Sequence, residues 1–426
     1  MARNVISRRV FMAAAGAAAV MAPRARAHDA AEDVKPVRVA FIGVGNRGTG
    51  LLKVLLSMPN TQVTAICDIN EDHLNRGIEI VRRLRGNTPA GFKEGEYDYR
   101  RMLERDDFEA VLIATPIPWH AVMAVDAMNA GKHVGSEVPG AYTVDDCWSL
   151  VDTKEKTGKR YMLLENYLYE RSRLMVLNMV RAGVFGDIYY AECSYIHDCR
   201  ALRFESDGAL TWRGEVKRTM FGNLYPTHSL GPVSKWMNLN RGDRIESLVS
   251  RMSPPVALHV YAAKQFGADS LPAMTQFAGG DMSVTLLTTA KGRLVTVYYD
   301  SDSPRPASLF HVCQGPNGCY DSREGIYIDG VSPAHEWEAV DAYREKYDHE
   351  HWRTRGEEAA KTGHGGGDYF SISDFVEMAR QDCEPLVDVY DSAAWSSLVE
   401  LSRKSIESGG RSVEVPDFTR GKWDKS

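Results

Sequence analysis

The fold is decided by the stretch Val37-Arg38-Val39-Ala40-Phe41-Ile42-Gly43-Val44-Gly45-Asn46-Arg47-Gly48. Its first half is an apolar run typical of a buried parallel strand, and its second half is the pattern G-x-G-x-x-G. The glycines permit a tight turn and a close approach of the backbone to a pyrophosphate at the positive N-terminus of the following helix. The stretch therefore predicts a dinucleotide-binding strand, turn and helix.

Asp68 closes the next predicted strand, about 20 residues beyond the last glycine of the pattern. A carboxylate at this place accepts hydrogen bonds from both ribose hydroxyls of NAD and repels the additional phosphate of NADP. Glycine-rich turns alone are common, but the flanking strand, the helix and Asp68 make the pattern specific. The sequence therefore predicts NAD as the cofactor.

Residues 36–165 alternate short β-rich runs with helical stretches. Alternation of this kind predicts a Rossmann domain, in which a parallel sheet carries helices on both faces. Strands are expected at Val37–Ile42, Thr61–Cys67, Ala110–Ala114, His133–Ser136 and Tyr161–Leu164, and helices at 46–57, 71–84, 122–129 and 144–156.

Residues 166–426 have a different character and predict a second, substrate-binding domain of the α+β type. Two hairpin-like turns, Ala290-Lys291-Gly292 and Pro316-Asn317-Gly318, indicate an open, mainly antiparallel sheet. The late helices are expected to pack back on the first domain, and the site should lie where the carboxyl ends of the first sheet face the second domain. Strands are expected at Asp187–His197, Ile245–Arg251, Met282–Thr288, Arg293–Tyr299 and Leu309–Cys313, and helices at Arg171–Ala182, Tyr369–Arg380 and Ser392–Ser408.

The first 27 residues resemble an export signal. Ser7-Arg8-Arg9-Val10-Phe11-Met12 is followed by a small apolar run, Ala13–Met21, and by the small-x-small pattern Ala25-Arg26-Ala27. This combination indicates a twin-arginine signal, which directs the export of proteins that have already folded. The apolar run is shorter than the roughly 20 residues that span a bilayer, so stable membrane insertion is not expected. The sequence predicts a bacterial protein that the twin-arginine machinery exports, to the periplasm or otherwise out of the cytoplasm.

The composition excludes several classes of partner. A hydrophobic content of 44% and a charged content of 25% are those of an ordinary globular protein. The net charge of −6 gives no basic footprint, which argues against nucleic acid as a partner. The seven cysteines show no metal-binding spacing, so no metal is expected and buried free thiols are favoured. Bridges across hairpins, Cys193 with Cys199 or Cys313 with Cys319, are the alternative.

Two further strand ends carry residues that could face a nicotinamide. Thr115 ends the third strand, with Trp119 and His120 one turn further on, and these side chains could wall the cofactor. The alternative is a helix-start cap with a buried aromatic residue. Glu137 ends the next strand, where it would reach the nicotinamide ribose or remain a surface carboxylate before a turn.

At Glu137-Val138-Pro139 the chain resembles the glucose–fructose oxidoreductase/inositol dehydrogenase superfamily, whose members carry Glu-Lys-Pro there. In typical dehydrogenases of that superfamily, the lysine helps to take the substrate hydroxyl proton during hydride transfer. Because this chain has Val138 at that place, a net sugar dehydrogenase of the usual kind is disfavoured.

The remaining motifs resemble the glycoside hydrolases of family 109, over essentially the whole mature chain. The most specific is Gly222-Asn223-Leu224-Tyr225-Pro226-Thr227-His228, followed by Gly231-Pro232. Leu164-Glu165-Asn166, Ser303-Pro304-Arg305-Pro306 and Gly363-His364-Gly365-Gly366 are similar as well. The resemblance implies an NAD-dependent glycosidase that is similar to α-N-acetylgalactosaminidases.

Together with the glycine turn and the strand ends, the resemblance assigns residues to two ligands. The residues expected at NAD are Gly43, Gly45, Asn46, Arg47, Gly48, Asp68, Thr115, Ile117, Pro118, Trp119, His120, Glu137, Val138 and Asn166. The residues expected at the sugar are Tyr195, Arg213, Tyr225, Pro226, Thr227 and His228. The chain departs from the family where Ala307 replaces a substrate tyrosine and where Ser229 replaces a glycine, which leaves the identity of the sugar open.

The resemblance also implies a mechanism. Direct hydrolysis uses two carboxylates that flank the glycosidic bond. No isolated pair of acidic residues in the sequence is indicated for that role. The implied alternative is transient oxidation of the sugar at C3, elimination across C1–C2, addition of water and re-reduction at C3. This cycle has no net redox change, so one tightly bound NAD, regenerated in each turnover, would suffice outside the cytoplasm. His228 is the expected acid/base residue, with Tyr225 or Tyr169 as its partner.

Two other functions remain alternatives at this point. One is an exported sugar oxidoreductase with a tightly bound nicotinamide cofactor, against which Val138 argues. The other is a sugar-binding protein without catalytic activity. The expected partner is a small-molecule or glycan substrate, and the resemblance further implies a homo-oligomer through pairing of open sheets.

Overall fold

The first domain is a six-stranded parallel sheet in the computed structural model, which describes residues 35–425. Residues 1–34, and with them the predicted export signal, lie outside the described residues. The strands are β1 (Val37–Ile42), β2 (Thr61–Cys67), β3 (Ala90–Phe92), β4 (Ala110–Ile113), β5 (His133–Ser136) and β6 (Tyr161–Leu163). Their order in the sheet is β3-β2-β1-β4-β5-β6, so the chain reverses direction across the sheet between β1 and β4. Such a reversal opens a crevice at the carboxyl ends of the strands.

Five helices connect these strands. They are α1 (Asn46–Ser57), α2 (Glu71–Arg85), α3 (Asp98–Leu103), α4 (His120–Asn129) and α5 (Val144–Thr157). Strand β3 and helix α3 are not predicted from the sequence, because a strand of three residues and a helix of six are too short for a hydrophobic period to show. Helices α2 and α5 have strong ends: the side chains of Asn70 and Thr143 cap their first turns, and Gly86 and Gly158 end them in the left-handed conformation.

The turn between β1 and α1 requires glycine at two positions for different reasons. Gly43 has φ of +87°, a conformation that a residue with a side chain rarely adopts. A Cβ atom on Gly48 would lie 2.1 Å from the carbonyl oxygen of Gly43. The first turn of α1 can therefore pack against the strand end only because residue 48 has no side chain.

The second domain is built on an eight-stranded open sheet. Its strands are β7 (Tyr190–Ile196), β8 (Ile245–Met252), β9 (Met282–Thr289), β10 (Leu294–Asp300), β11 (His311–Gly315), β12 (Gly318–Asp321), β13 (Gly325–Ile328) and β14 (Val413–Glu414). The order is β13-β12-β11-β7-β10-β9-β8-β14, and every neighbouring pair is antiparallel except β7 with β10. The predicted fold class, a Rossmann domain followed by an α+β domain with a mainly antiparallel sheet, is confirmed.

Ten helices of the second domain cover its sheet and reach back to the first domain. They are α6 (Arg171–Arg181), α7 (Trp212–Thr219), α8 (Thr227–Trp236), α9 (Ala257–Phe266), α10 (Leu271–Met274), α11 (Arg344–Tyr347), α12 (Glu350–Ala359), α13 (Gly367–Gln381), α14 (Val389–Ser396) and α15 (Leu398–Glu407). The single helix predicted at Ser392–Ser408 is wrong, because two helices, α14 and α15, meet at Ser397. The hydroxyl of Ser397 donates to the carbonyl oxygen of Ala394 at 2.9 Å, and such bonds compete with the helical ladder.

Late helices lie directly against the first sheet. A Cβ atom on Gly135 of β5 would lie 2.7 Å from the ring of Phe375 in α13, so the helix packs against bare backbone there. Gly140 donates its N–H to the Ser396 hydroxyl at the end of α14. One continuous apolar core joins the two domains, and it includes Phe41 of β1, Phe375 and Trp395 of α14.

The described residues hold no helix that is long and apolar enough to cross a bilayer. All seven cysteines are free thiols in this part of the chain, and five of them are buried. The bridges considered for Cys193 with Cys199 and for Cys313 with Cys319 are absent from the structure.

We expect Gly48→Ala and Gly50→Ala to have opposite effects on stability. The Gly48→Ala methyl group would overlap the Gly43 carbonyl oxygen, so the variant should lose about 2 kcal/mol or more of unfolding free energy and bind NAD poorly. Gly50 lies on the exposed side of the same helix with open space around it, so Gly50→Ala should gain about 1 kcal/mol from helix propensity. Thermal unfolding with and without NAD measures both effects. Equal destabilisation of the two variants would contradict this account of the turn.

Candidate active site

A cleft of about 830 Å³ runs from the carboxyl ends of β1, β2 and β4 to the second domain. Its wall on the second domain comes from β7, from the segment between β7 and α7, and from the start of α8. The cleft therefore lies where the strand order reverses, which is the usual ligand position in a doubly wound sheet.

One half of the cleft has the shape and charge of a dinucleotide site. Gly45 lies at the N-terminus of α1. A Cβ atom at this position would have the His73 ring as its nearest neighbour, at 3.7 Å, so the space in front of the helix start is open. The Asp68 carboxylate accepts hydrogen bonds from the N–H groups of Val44 at 2.8 Å and Asn70 at 2.9 Å. These bonds fix the carboxylate at the end of β2 beside the turn, where a ribose would reach it.

Asn166 offers an unsatisfied atom to a ligand in the same cleft. Its Nδ2 donates to the Asp368 carboxylate at 2.7 Å, whereas its buried Oδ1 has no hydrogen-bond partner among residues 35–425. A buried carbonyl oxygen without a partner is costly, and a donor on a bound cofactor would satisfy it. The glycine turn, Asp68 and Asn166 together fit NAD.

Arg47, two residues after Gly45, joins three parts of the chain at the floor of the cleft. Its guanidinium donates to both carboxylate oxygens of Asp368 at 2.9 Å and to Glu137 at 2.6 Å. The ring of His364 lies 2.9 Å from Asp368, so the carboxylate of Asp368 is surrounded by donors. Burial alone would raise the pKa of Asp368, but the bonds from His364 and Arg47 hold that pKa well below its usual range. Asp368 therefore remains ionised at every physiological pH.

His228 forms a buried dyad with Glu165. The Nδ1 atom of His228 lies 2.7 Å from the Glu165 carboxylate, which is fully buried and also accepts the N–H of Tyr167 at 2.8 Å. A carboxylate that accepts from Nδ1–H directs the lone pair of the neutral imidazole to Nε2. In the described part of the chain, Nε2 has no hydrogen-bond partner, and His228 lines the cleft. The dyad therefore presents a proton acceptor to the cleft.

A second histidine fixes the backbone of the dyad. His311 accepts a hydrogen bond from Arg173 at Nδ1, so its Nε2–H donates to the His228 carbonyl oxygen at 3.1 Å. Burial and the neighbouring Arg173 charge hold the pKa of His311 well below its usual range, so His311 is neutral and structural.

Three tyrosines surround the His228 ring. The ring centroids of Tyr167, Tyr225 and Tyr195 lie 4.5, 5.0 and 5.5 Å from that of His228. Burial raises the pKa of Tyr225 and of Tyr195 well above the ordinary phenol value, so both hydroxyls stay protonated near neutrality. The site therefore combines one proton acceptor with hydroxyls that can only donate or accept hydrogen bonds.

Comparison with known proteins identifies the family. A model of the C-terminal domain of glycosyl hydrolase 109 matches residues 169–425, and an oxidoreductase-family model of the NAD-binding Rossmann fold matches residues 37–165. The chain belongs to glycosyl hydrolase family 109. It is 40% identical to a glycosyl hydrolase family 109 protein of Shewanella sp. strain ANA-3, over 98% of this chain and 97% of the relative. It is also 40% identical to the α-N-acetylgalactosaminidase of Shewanella oneidensis, over 92% of this chain and 87% of that enzyme.

Solved structures share the fold of this family 109 member at low sequence identity. Levoglucosan dehydrogenase in complex with NADH is 18% identical with a TM-score of 0.71, over 90% of this chain and all of the other. The myo-inositol 2-dehydrogenase of Lactobacillus plantarum is 16% identical with a TM-score of 0.64, over the same shares. The resemblance stated from the sequence is confirmed: this glycoside hydrolase carries an NAD-binding Rossmann domain.

The structure brings most of the predicted site residues of this family 109 member together. Those that line the cleft are Gly43, Gly45, Asn46, Arg47, Asp68, Thr115, Ile117, Trp119, His120, Glu137, Val138, Asn166, Tyr195, Arg213, Tyr225 and His228. Four predicted ligand contacts lie outside the lining. Gly48 and Thr227 are buried in helix starts, Pro226 is buried before α8, and Pro118 points to solvent.

Tyr169 does not lie at the cleft, contrary to its prediction as an acid/base partner. Its side chain is fully buried, and its hydroxyl donates to Asp374 of α13 at 2.8 Å. The reason is its place at the end of a short turn that faces α12 and α13, where Trp352 also donates to its carbonyl oxygen. Of the two tyrosines predicted as partners of His228, Tyr225 is the one that lies at the cleft.

Glu165 and Asp368 are the functional residues that the sequence analysis did not assign. The sequence signal for Glu165 was the glycine of the Gly231-Pro232 pair, one turn after His228. A Cβ atom on Gly231 would lie 2.8 Å from the Glu165 side chain. The Gly-Pro pair of the motif thus leaves room for the carboxylate. Asp368 follows the Gly363-His364-Gly365-Gly366 loop, but its pairing with Arg47 spans 321 residues and has no local signal.

We expect the stability contribution of Asp368 to depend on pH. Because the folded-state pKa is depressed, the contribution should be complete above the ordinary carboxyl pKa of about 4 and should fall as pH drops below it. Asp368→Asn should cost about 3 kcal/mol near neutrality, and the gap to the wild type should narrow between about pH 4 and pH 2.5. Urea unfolding across this range measures the gap.

Asp329→Asn is the matched control, since the Asp329 side chain is exposed in a turn after β13. The control should show a small gap at every pH. A gap for Asp368→Asn that does not change with pH would contradict the assigned ionisation.

Proposed function

We propose that this protein is an NAD-dependent glycosidase that cleaves N-acetylgalactosaminides or related hexosides without net oxidation. The reaction would proceed by transient oxidation of the sugar at C3, elimination across C1–C2, addition of water and re-reduction at C3. The family, the NAD-binding domain and the α-N-acetylgalactosaminidase of Shewanella oneidensis among the relatives support this proposal.

The His228–Glu165 dyad is the observation that carries the proposal. Elimination needs a base for the C2 proton, and the same group must later return a proton. Glu165 holds the imidazole in the tautomer whose free Nε2 faces the cleft, and it stabilises the imidazolium after proton uptake. The Tyr225 hydroxyl, protonated near neutrality, donates to the oxygen that departs from C1 or to the C3 oxygen.

The carboxylates of Glu137 and Glu165 are unsuited to direct hydrolysis. Two carboxyl groups must flank the bond in that mechanism. Glu137 is paired with Arg47 at 2.6 Å and Glu165 with His228, so neither is free to act as a second carboxyl group. When NAD is bound, its nicotinamide supplies the hydride acceptor and donor that the sugar carbon requires.

Val138 supports a closed redox cycle over net dehydrogenation. Its side chain is buried and apolar at the place where typical dehydrogenases of the superfamily carry a lysine. A residue of this kind neither takes nor gives a proton. The proton transfers therefore fall to His228 and the tyrosines.

The proposal includes export of the folded protein with its NAD through the twin-arginine pathway. The motif around Arg8 and Arg9 supports this location. A cofactor that is released cannot be replaced from a cytoplasmic pool, so the enzyme would hold one NAD tightly and restore it in each turnover.

One experiment tests cofactor retention and mechanism together. Protein recovered from the periplasm and dialysed extensively should contain about one NAD per chain, and it should cleave aryl N-acetylhexosaminides or hexosides without added NAD. In deuterated water the product should carry deuterium at C2, since that proton is removed and replaced. Cleavage without deuterium at C2 would exclude the elimination route. Net formation of a keto-sugar or lactone would instead identify a sugar oxidoreductase.

The dyad is tested by Glu165→Gln beside Tyr169→Phe. Glu165→Gln removes the charge that stabilises the imidazolium, so kcat should fall about 100-fold or more while bound NAD is retained. Tyr169→Phe also removes a buried polar group, but Tyr169 lies outside the cleft, so stability should fall and kcat should change less than about threefold. A similar loss of kcat in both variants would refute the assignment.

A further inference from the structure

We propose that the substrate of this enzyme carries an anionic substituent, a carboxylate or a sulfate, which Arg203 and Arg213 bind at the far end of the cleft. This inference rests on the proposed glycosidase function and names the class of glycoside. Three observations support it. One is a buried excess of positive charge around Arg203, and another is that Arg213 has no carboxylate partner. The third is the position of both arginines beyond the tyrosines that surround the His228 ring.

The first observation is a buried cluster of two cations and one carboxylate. Asp302 has no exposed side-chain surface, and its two oxygens accept from Arg203 Nε at 3.0 Å and from Lys217 Nζ at 2.6 Å. Lys217 is itself fully buried, and its other contact is the carbonyl oxygen of Gly280 at 2.7 Å. Two cations share one carboxylate in these ion pairs, so the three side chains together carry one positive charge. A net charge that is buried is costly, and an anionic ligand would lower that cost.

Arg203 connects this cluster to the cleft. Its Nη2 donates to the Ser301 hydroxyl at 2.6 Å, and Arg203, Ser301 and Tyr299 all line the cleft. The Nη1 atom of Arg203 makes no hydrogen bond within residues 35–425. The cluster thus presents a fixed guanidinium edge with an unused donor to the substrate.

Arg213, at the start of α7, is the second cation. Its guanidinium lies over the Trp212 ring at 4.3 Å, and no carboxylate of the described chain lies within ion-pair distance of it. The charges of Arg203 and Arg213 both lower the pKa of Tyr142 and of Cys199, against the larger effect of burial. Both guanidinium groups therefore act on the same stretch of the cleft wall.

The place of this pair relative to the dyad suits a substituent of the bound glycoside. The tyrosine rings lead from His228 past Tyr195, at 5.5 Å, to Tyr299, at a further 6.4 Å. The hydroxyl of Tyr299 contacts Ser301 at 2.8 Å, and Ser301 accepts from Arg203. Glu205 is the carboxylate in the lining of this end, and it is exposed to solvent rather than paired with either arginine. Planar, forked arginine donors bind carboxylate and sulfate oxygens with two parallel bonds.

The test compares acidic and neutral glycosides of the same sugar configuration. Initial rates are measured for nitrophenyl glucosides and galactosides against the corresponding uronides, and for an N-acetylhexosaminide against its 6-sulfate. We expect kcat/KM to favour one acidic class by about tenfold or more. The uronide and sulfate arms distinguish a carboxylate from a sulfate. Neutral glycosides that are cleaved as well as every acidic one would overturn the subsite and leave the glycosidase function intact.

Variants place the preference on the arginines. Arg213→Gln should remove most of the preference, because the partly exposed Arg213 contributes its charge without an internal partner. Arg218→Gln is the matched control on the same helix, since Arg218 is exposed, pairs with Glu215 and lies outside the cleft. The control should retain the preference in full. Loss in both variants, or in neither, would contradict the assignment.

A binding measurement keeps the proposal testable if no glycoside is cleaved, which would refute the proposed function. Thermal unfolding is then followed with glucuronate, galacturonate and sugar 6-sulfates against glucose and galactose. Greater stabilisation by an acidic sugar, lost in Arg213→Gln and kept in Arg218→Gln, would support the subsite. Equal stabilisation by acidic and neutral sugars would overturn it.

Discussion

The active site depends on the ion pair between Arg47 and Asp368. Arg47 belongs to the dinucleotide turn, and Asp368 to the first turn of a helix that lies more than 300 residues later. The two hydrogen bonds between them, each 2.9 Å long, connect the late helix to the turn. Asp368 also accepts hydrogen bonds from Asn166 and His364. Removal of either charge would leave a largely buried group with fewer partners, since Arg47 would keep Glu137 and Asp368 would keep Asn166 and His364. The ion pair thus holds the cofactor side and the sugar side of the cleft in a fixed relative position.

The proposed acid/base residue, His228, is likewise held in place by residues behind it. His228 lies at the start of a helix in which every residue is buried, so the helix cannot shift to relieve strain. Glu165, at the end of the first domain, fixes the imidazole, and His311 of the second sheet fixes its backbone carbonyl. A ring that is fixed from two domains needs little reorganisation when it takes a proton, which is what preorganised catalysis requires.

The proposed chemistry and the proposed location of the protein are consistent with each other. A lysine that takes the hydroxyl proton suits a dehydrogenase that releases an oxidised product, and this chain has the apolar Val138 at that place. A cycle that returns the sugar carbon to its starting oxidation state suits a protein that is exported with one NAD. The positive charge at the far end of the cleft adds a preference about the substrate that the reaction itself does not impose.

Local sequence patterns are sufficient to predict the fold class and most residues of the cleft. The glycine turn, Asp68 and the strand ends at Thr115 and Glu137 are local patterns, and the carboxyl ends of neighbouring parallel strands must meet at one edge of a sheet. Short elements such as β3 were not predicted, because three residues show no hydrophobic period. The pairing of charged residues depends on tertiary contacts: Glu165 pairs with His228, Arg47 with Asp368, and Arg203 with Asp302, which also pairs with Lys217. Tertiary contacts also place Tyr169 outside the site. The direction in which a side chain of a short turn points depends on the helices that pack against the turn.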